Sequence, residues 1–460
     1  MEGFLKGKKF LVPALISLFL FTGAISCRRQ PPSYRCQTDR DCPKNYQCIG
    51  GRCQKIPPSE EKINLTIWGV FDDRGAYKAI IEGFEATHPN ISITYIKKDY
   101  KDYERDLLDA LAADEGPDIW FLHNDWLPKH KNKILPIPST IYTIEEYKNT
   151  FAPVAYEDLS DRGKIYGVPL AIDNLALFYN LDLFEKARIR RPPTTWEEFI
   201  EDVKKLTKRE GDQILVSGAA LGTVENIPRA VDILSALMLQ TGTIMVSDDR
   251  SKAYFNQYIK SEGEIVYPGT DALEFYTSFT QPLKSFYSWN ESMPYALNAF
   301  LEGKVAMIFG YSWLIPIIER EKSPRFRYDT APFPQIRGTD NPLTYANYWA
   351  LVVSKKTNYP DECFEFLKFA SSRKSVLSYY KATKKPPARL DLIDQARTLK
   401  YYGTFAGQVP IAKSWYKGNA EEVEEIFKEM INAVIKYGQP PQAAIDAAAR
   451  EVTNILQKYL

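Results

Sequence analysis

Histidine is scarce in this chain, and its scarcity argues against several kinds of catalytic site. Only three histidines occur among 460 residues, namely His88, His123 and His130. His88 stands before Pro89 at a predicted helix end, and the other two are isolated. The sequence also lacks an HExxH zinc motif, a GxSxG nucleophile elbow and a Walker-type glycine loop. Metalloprotease, α/β-hydrolase and P-loop nucleotide chemistry are therefore not indicated.

An excess of charge of either sign is also missing. The 59 Lys and Arg residues balance 58 Asp and Glu residues, which leaves a formal net charge of +1. Such a chain has no basic field that would gather nucleic acid. It shows no internal repeat and no low-complexity block. Since single hydrophobic cores stop growing at roughly 250–300 residues, the length predicts two packed domains.

Residues 1–26 have the pattern of an export signal. Three lysines precede an uncharged apolar run that ends at Cys27, which is the layout of a secretory signal. The end of the run resembles a bacterial lipobox, whose cysteine is acylated as the first residue of the mature protein. The leucine usual three positions before that cysteine is Ala24 here. An uncleaved membrane anchor is the alternative, and either interpretation predicts a membrane-anchored protein outside the cytoplasm, in the periplasm or at the cell surface.

A cysteine-rich segment follows within residues 27–62, which we interpret as a knob and tether. In an oxidising compartment its four cysteines are expected to form disulfides, and three pairings are possible. Zinc is the alternative, but the spacings lack the close pairs that hold one ion. The isolated Cys363 falls on an apolar helix face and is predicted to be a buried thiol. The disulfide candidates are Cys36, Cys42, Cys48 and Cys53.

The body from residue 63 onward begins with alternating strand and helix patterns. Strand patterns at residues 63–67, 91–95 and 118–122 are separated by helix patterns that end near residues 88 and 113. This order predicts an α/β fold with a parallel sheet and crossover helices. In such sheets, ligands bind beyond the carboxyl ends of the strands.

A series of motifs follows in an order that points to one protein family. The motifs are Leu65–Gly69, Phe84–Pro89, Gly116–Ile119, Tyr166–Asn180, Leu183–Ala187, Pro192–Phe199, Ala299–Met307, Tyr311–Trp313 and Pro386–Arg389. In this order the chain resembles the extracellular solute-binding family 1 of ABC importers, the group of the maltose-binding protein. Trp196 resembles the tryptophan at a helix start in that family. The family often has a glycine pair where this chain has Tyr345, Ala346 and Asn347, and these bulkier residues would reshape the cleft.

The resemblance implies a periplasmic-binding-protein-like fold of two α/β lobes with a hinge and a ligand cleft. Lobe I would comprise residues 63–172 and 312–372, and lobe II residues 173–311 and 373–460. The implied protein is a monomeric receptor that captures a sugar or oligosaccharide by hinge closure. It would deliver the sugar to the permease subunits of an ABC transporter, with no catalysis, cofactor or metal, and it would reach the membrane through its N-terminal lipid.

Sugars determine which side chains the cleft should contain. A sugar ring has hydroxyl groups at its edge and apolar faces, so the cleft needs flat aromatic surfaces and polar groups such as Asp, Asn and Arg. Each tryptophan could instead be a core residue, Asp173 and Asn174 could cap a crossing between lobes, and Arg389 could form a lobe-to-lobe ion pair. The candidate ligand-binding residues are Trp68, Asp72, Asp73, Asn124, Asp125, Trp126, Asp173, Asn174, Trp289, Tyr311, Trp313, Asn347, Trp349 and Arg389.

Three alternative functions stay open from the sequence. The first is a binding protein for another small organic solute, such as a sugar phosphate. Phosphate recognition would need arginine or lysine in the cleft, and Arg74 or Arg389 could supply it. A surface glycosidase would use two of the abundant carboxylates, although the family resemblance argues against it. A surface glycan-binding protein without a transport role is the third, and a neighbouring permease gene would distinguish it from an importer component.

Overall fold

The computed structural model describes residues 36, 38, 41–42, 46–55, 62–261 and 264–459. The chain divides into two units, with the boundary between Glu61 and Lys62. The predicted signal and the predicted lipidation site at Cys27 lie outside the described residues. Within the described ranges, no helix combines the length and the apolar composition needed to cross a bilayer.

The first unit contains a β-hairpin held by two disulfides. Strands β1 (Tyr46–Ile49) and β2 (Arg52–Lys55) pair in antiparallel fashion. The disulfides join Cys36 to Cys48 and Cys42 to Cys53, so each strand carries one cysteine of a different bridge. The predicted disulfides are confirmed, and one of the three possible pairings is selected.

The body contains strands β3 to β20 and helices α1 to α17. The strands are β3 (Ile63–Gly69), β4 (Ile91–Lys97), β5 (Ile119–His123), β6 (Ile134–Leu135), β7 (Ser160–Asp161), β8 (Lys164–Ile165), β9 (Val168–Pro169), β10 (Asp173–Asn174), β11 (Ala176–Asn180), β12 (Lys208–Glu210), β13 (Gln213–Ala219), β14 (Ile259–Ser261), β15 (Glu264–Val266), β16 (Val305–Gly310), β17 (Tyr328–Pro332), β18 (Thr344–Asn347), β19 (Trp349–Ser354) and β20 (Ala412–Lys413). The helices are α1 (Arg74–Thr87), α2 (Tyr103–Ala112), α3 (Leu127–His130), α4 (Ile144–Thr150), α5 (Pro153–Leu159), α6 (Leu181–Lys186), α7 (Trp196–Leu206), α8 (Ala230–Gln240), α9 (Pro268–Ser278), α10 (Ala296–Leu301), α11 (Leu314–Glu321), α12 (Pro360–Ala370), α13 (Arg373–Thr383), α14 (Ile393–Ala396), α15 (Tyr402–Gln408), α16 (Ala420–Ile435) and α17 (Pro441–Lys458).

The first sheet has the strand order β4-β3-β5-β19-β6, with β9 also paired to β19. Strands β3, β4 and β5 are parallel, as the alternating strand and helix patterns predicted. Their apolar residues are buried together with the inner face of α1, which carries Tyr77, Ile80, Ile81 and Phe84. This sheet and its helices form the first hydrophobic core.

The second sheet has the order β12-β13-β16-β11-β17. Strand β11 lies inside this sheet and all five of its residues are buried, which explains its continuous apolar sequence. Helices α7 to α11, α16 and α17 contribute buried residues to the same second core. The α/β fold class is confirmed.

The two hydrophobic cores divide the chain differently from the predicted lobes at two places. Strand β17 pairs with β11 of the second sheet, and the buried residues of α11 belong to the second core, although both were assigned to lobe I. Conversely, Val376 and Tyr379 of α13 belong to the first core, although they were assigned to lobe II. The partner strand of β17 is far away along the chain, and local sequence patterns carry no information about it.

Candidate functional site

Three short chain crossings join the two cores, and their strands form a small sheet of order β10-β18-β20. Ile172 belongs to the first core and Leu175 to the second, so β10 crosses between them. In the same way, the chain passes from the second core at Tyr345 to the first at Ala346. It returns to the second core between Ala412 and Trp415. Such a set of crossings is the geometry of a hinge.

An ion pair and hydrogen bonds between polar side chains connect the third crossing to the first core. The ammonium of Lys417 lies 2.6 Å from a carboxylate oxygen of Asp125, and both side chains are more than nine-tenths buried. Asn124 donates hydrogen bonds to Asp125 at 3.0 Å and to Asp158 at 3.1 Å. Asp158 also accepts hydrogen bonds from Ser414 and from the Tyr348 hydroxyl. We call Asn124, Asp125, Asp158 and Lys417 the hinge cluster.

Two predicted site residues form hydrogen bonds that hold the first crossing in place. Asp173 accepts hydrogen bonds from the backbone N–H and the hydroxyl of Ser312, at 3.0 and 2.7 Å. Asn174 is fully buried, donates to the carbonyl of Phe405 and accepts from Gln408. Asn174 therefore has a structural role, and Asp173 links the crossing to the residue next to Trp313.

The burial of Asp173 should make stability depend on pH. Burial raises the pKa of this carboxyl from 3.8 to about 6, although the Ser312 hydrogen bonds oppose the shift. Because the folded state holds the proton more tightly, stability should fall between about pH 4 and pH 6 and stay level above. In the Asp173→Asn variant, the free energy of unfolding should fall by about 2–3 kcal/mol less over this pH range. Urea unfolding at a series of pH values measures the difference. An unchanged pH slope in the variant would contradict this assignment.

An aromatic cluster lies at the end of the first sheet. The ring of Trp349 lies 5.2 Å from the rings of both His123 and Trp126. On the outer side it lies 6.0 Å from Phe71 and 6.3 Å from Tyr100. The rings of Phe71 and Tyr100 lie 5.1 Å apart with an interplanar angle of 30°, and both side chains are more than half exposed. We call Phe71, Tyr100 and Trp349 the aromatic shelf, because these adjacent rings form an apolar surface with an exposed side.

Arg229 faces this region from the second core. It precedes α8 with a left-handed backbone (φ 60°) and holds Asp232 through two nitrogens at 2.7 and 2.6 Å. Asp232 also accepts a hydrogen bond from the hydroxyl of the buried Tyr311 at 2.7 Å. Burial raises the pKa of Tyr100, and the guanidinium of Arg229 counteracts that shift. The charge of Arg229, from the second lobe, thus acts on Tyr100 of the first.

A cavity of about 300 Å³ lies beside the hinge cluster, between residues of both cores. Asp161 lies on its wall and pairs with Lys131 at 2.7 Å and with Arg250 at 4.0 Å. The lining residues are Asn124, Asp125, Leu127, Pro128, Lys131, Glu157, Asp158, Ser160, Asp161, Leu239, Met245, Val246, Arg250, Ser414, Trp415, Tyr416 and Lys417. Aromatic, charged and hydroxyl groups thus border one space between the lobes.

Of the predicted ligand-binding residues, only Asn124 and Asp125 line this cavity. Asn124, Asp125, Trp126 and Trp349 lie together near the third crossing, and Asn347 pairs with Asp173 across the crossing strands. Trp313 is 42% exposed at the start of α11.

Other predicted residues are held by contacts within one lobe. Asp72 is bonded to Tyr379 and Lys385 at 2.6 Å each, and the exposed Asp73 pairs with Lys97. Trp289 is fully buried and donates to Asn226, which leaves it no surface for a ligand.

Two more predicted residues have partners outside the cleft. Arg389 binds Asp391 through two nitrogens and also donates to the carbonyl of Ser371. It is therefore a local ion-pair partner and not one between lobes. Trp68 is buried, and the ammonium of Lys98 lies 3.7 Å from the centre of its ring.

Sequence reasoning missed Phe71, Tyr100, Arg229, Asp158 and Lys417. Phe71 and Tyr100 follow the carboxyl ends of β3 and β4, so the rule for parallel sheets could have found both. No local pattern marks Lys417, because its partner Asp125 is 292 residues away.

These features define a two-lobed binding protein with a hinge. The sequence model of the family described as bacterial extracellular solute-binding protein matches residues 68–376, and the chain belongs to this family. The family resemblance predicted from the sequence is confirmed.

Several proteins are similar to this chain over most of their length. A multiple sugar-binding protein of Streptococcus mutans is 25% identical, over 73% of this chain and 78% of the relative. A putative binding protein of Brucella abortus is 23% identical, over 86% and 94%. The sugar-binding protein MalE from Xanthomonas citri has a similar structure, with a TM-score of 0.73, 19% identity and coverage of 86% and 98%.

Proposed function

We propose that the protein is the extracytoplasmic receptor of an ABC importer and that it captures a sugar or oligosaccharide between its two lobes. The observation that carries the proposal is the aromatic shelf, which presents half-exposed rings on the first lobe opposite the polar Arg229 on the second. Apolar sugar faces can stack on the shelf while their hydroxyls reach the polar groups. Relatives named for sugar binding, from Streptococcus mutans and Xanthomonas citri, support this ligand class.

The ion pairs around the cleft favour a neutral ligand over a sugar phosphate. Arg229 lies against Asp232, Lys417 against Asp125 and Lys131 against Asp161. A phosphate group would have to compete with these carboxylates for the cations. We therefore favour neutral sugars.

Transport follows from closure of the lobes. A ligand that touches both lobes stabilises the closed state, because only that state makes both sets of contacts. In the proposed mechanism the permease recognises the closed receptor, and no bond of the sugar is broken. The receptor acts as a monomer and is held at the membrane by a lipid on Cys27.

A thermal-shift panel tests the ligand class. The full chain is melted with neutral mono-, di- and oligosaccharides, with sugar phosphates and with other small solutes. A ligand that binds only the folded protein stabilises it by about 2.7 kcal/mol at a hundredfold excess over Kd, so the melting temperature should rise by a few degrees. Shifts with neutral oligosaccharides are expected. Shifts with charged solutes alone, or with none of the panel, would contradict the sugar assignment.

A further inference from the structure

The hinge cluster contains two carboxyl groups and one ammonium group. The side chains of Asp125 and Lys417 are buried, and Asp158 is partly exposed. The Asn124 amide bridges Asp125 and Asp158 at 3.0 and 3.1 Å, so the two carboxyl groups are close neighbours. Lys417 is bonded to Asp125 at 2.6 Å. Two ionised carboxylates beside one ammonium would leave a negative charge uncompensated away from water, which is costly. The geometry therefore favours a proton on one of the pair.

The surrounding charges identify which carboxyl group holds the proton. Burial raises the pKa of Asp158 to about 7, and the charge of Asp125 adds to the shift, while hydrogen bonds from Ser414, Tyr348 and Asn124 oppose it. For Asp125, burial acts in the same direction but is outweighed by Lys417, His123 and Arg229, so its pKa is lowered. The proton accordingly resides on Asp158.

In the described part of the chain Asp158 forms no ion pair, because Lys417 pairs with Asp125 while Lys131 and Arg250 pair with Asp161. Burial lowers the pKa of His123, with Arg229 and Lys417 acting in the same direction, so this imidazole is neutral near pH 7. The ammonium of Lys413, on the third crossing, is bonded to Glu157 at 2.6 Å. The other titratable or charged groups that face the cluster or its cavity include Arg229, Tyr147, Tyr345, Tyr348, Lys131, Asp161, Arg250 and Tyr416.

Asp158 is only partly exposed, and residues of both lobes surround it. This residue lines the inter-lobe cavity, and the opposite wall includes Leu239, Met245 and Arg250 of the second lobe. Its partner Ser414 lies on the third crossing, which must bend when the lobes separate. Opening the lobes would admit water to the carboxyl group and remove the desolvation that keeps it protonated.

We propose that a proton on Asp158 controls lobe closure, because the closed protein binds this proton and the open protein releases it. The proposal rests on the proposed function only in requiring that the lobes open and close. By linkage, acid favours the closed state and alkali favours the open one. Proton uptake at Asp158 thus acts together with the transported ligand, and ligand retention should be stronger at acid pH.

Distances between the lobes test this proposal without any sugar. Spin labels are attached to the full chain at Lys78→Cys on α1 and Lys208→Cys on β12, two exposed positions on opposite lobes. Between about pH 5 and pH 9 the ratio of open to closed protein should rise by about tenfold or more, since each unit of pKa difference is tenfold in equilibrium. An Asp158→Asn background should keep the same distance distribution at both pH values.

A matched control separates this effect from general titration of buried acids. Asp202 is a mostly buried carboxyl group whose pKa is raised to about 6 by burial, but it lies within the second lobe on α7. Asp202→Asn should therefore leave the pH response unchanged. A melting curve of each variant without spin labels checks that the variant folds. If the distance between the labels in the otherwise unchanged protein does not vary with pH, the proposal is overturned whatever the variants show. A full pH response in Asp158→Asn also overturns it. The sugar panel at constant pH tests the proposed function separately.

Discussion

Lys417→Met should lower the free energy of unfolding by about 3–5 kcal/mol, the usual cost of removing one member of a buried ion pair. Lys417 and Asp125 are only 7% and 8% exposed, so solvent cannot replace the lost ammonium. The methionine retains the volume, but the carboxylate of Asp125 is left beside the second carboxyl group of Asp158. Urea unfolding at neutral pH measures the loss as a lower transition midpoint.

The double variant Asp125→Asn with Lys417→Met is the matched control for this effect. It removes both charges together, and pairs replaced in this way often cost little. Most of the lost stability should therefore return in the double variant. If the single and double variants are equally unstable, packing of the Lys417 side chain against Tyr345 and Trp415 is responsible, and the electrostatic explanation fails.

Alanine at both Phe71 and Tyr100 should weaken sugar binding by roughly thirtyfold, or about 2 kcal/mol for the two lost rings. The two side chains are 51% and 55% exposed, so their removal should change the melting temperature of the free protein little. The Kd of an oligosaccharide identified in the thermal-shift panel, measured by calorimetry, tests the prediction.

Tyr437→Ala provides the control for exposed aromatic residues. Tyr437 is 75% exposed and follows the end of α16, far along the chain from the aromatic shelf. Its replacement should leave the Kd unchanged. Equal effects at Tyr437 and at the shelf would mean that the loss reflects general surface hydrophobicity and not a binding site.

The first sheet could be predicted because its signals are local. Alternation in Ile63–Gly69 and Ile91–Lys97 fixes which residues are buried, and the face of α1 follows a helical period. Local patterns also predicted that these strands are parallel, but they did not predict the order β4-β3-β5, in which β3 lies between the other two. The cysteine count predicted disulfides in the first unit but could not select the pairing.

The hinge could not be located from the sequence because it depends on long-range pairing. Strand β17 joins β11 across more than a hundred residues, and β20 joins β18 late in the chain. Trp289 and Trp313 show the same limit for the site. Their chemistry predicts a ligand contact for both, but one is fully buried and the other 42% exposed, and only the tertiary structure distinguishes them.

The buried Cys363 has a consequence for oxidative folding after export. Thiol–disulfide exchange needs an accessible thiolate, whereas Cys363 is fully buried and burial raises its pKa to about 12. Once the body has folded, this thiol can neither attack a forming disulfide nor be captured by an oxidant. The hairpin disulfides Cys36–Cys48 and Cys42–Cys53 can therefore form, or be reshuffled by an isomerase, without trapping the body in a mixed disulfide.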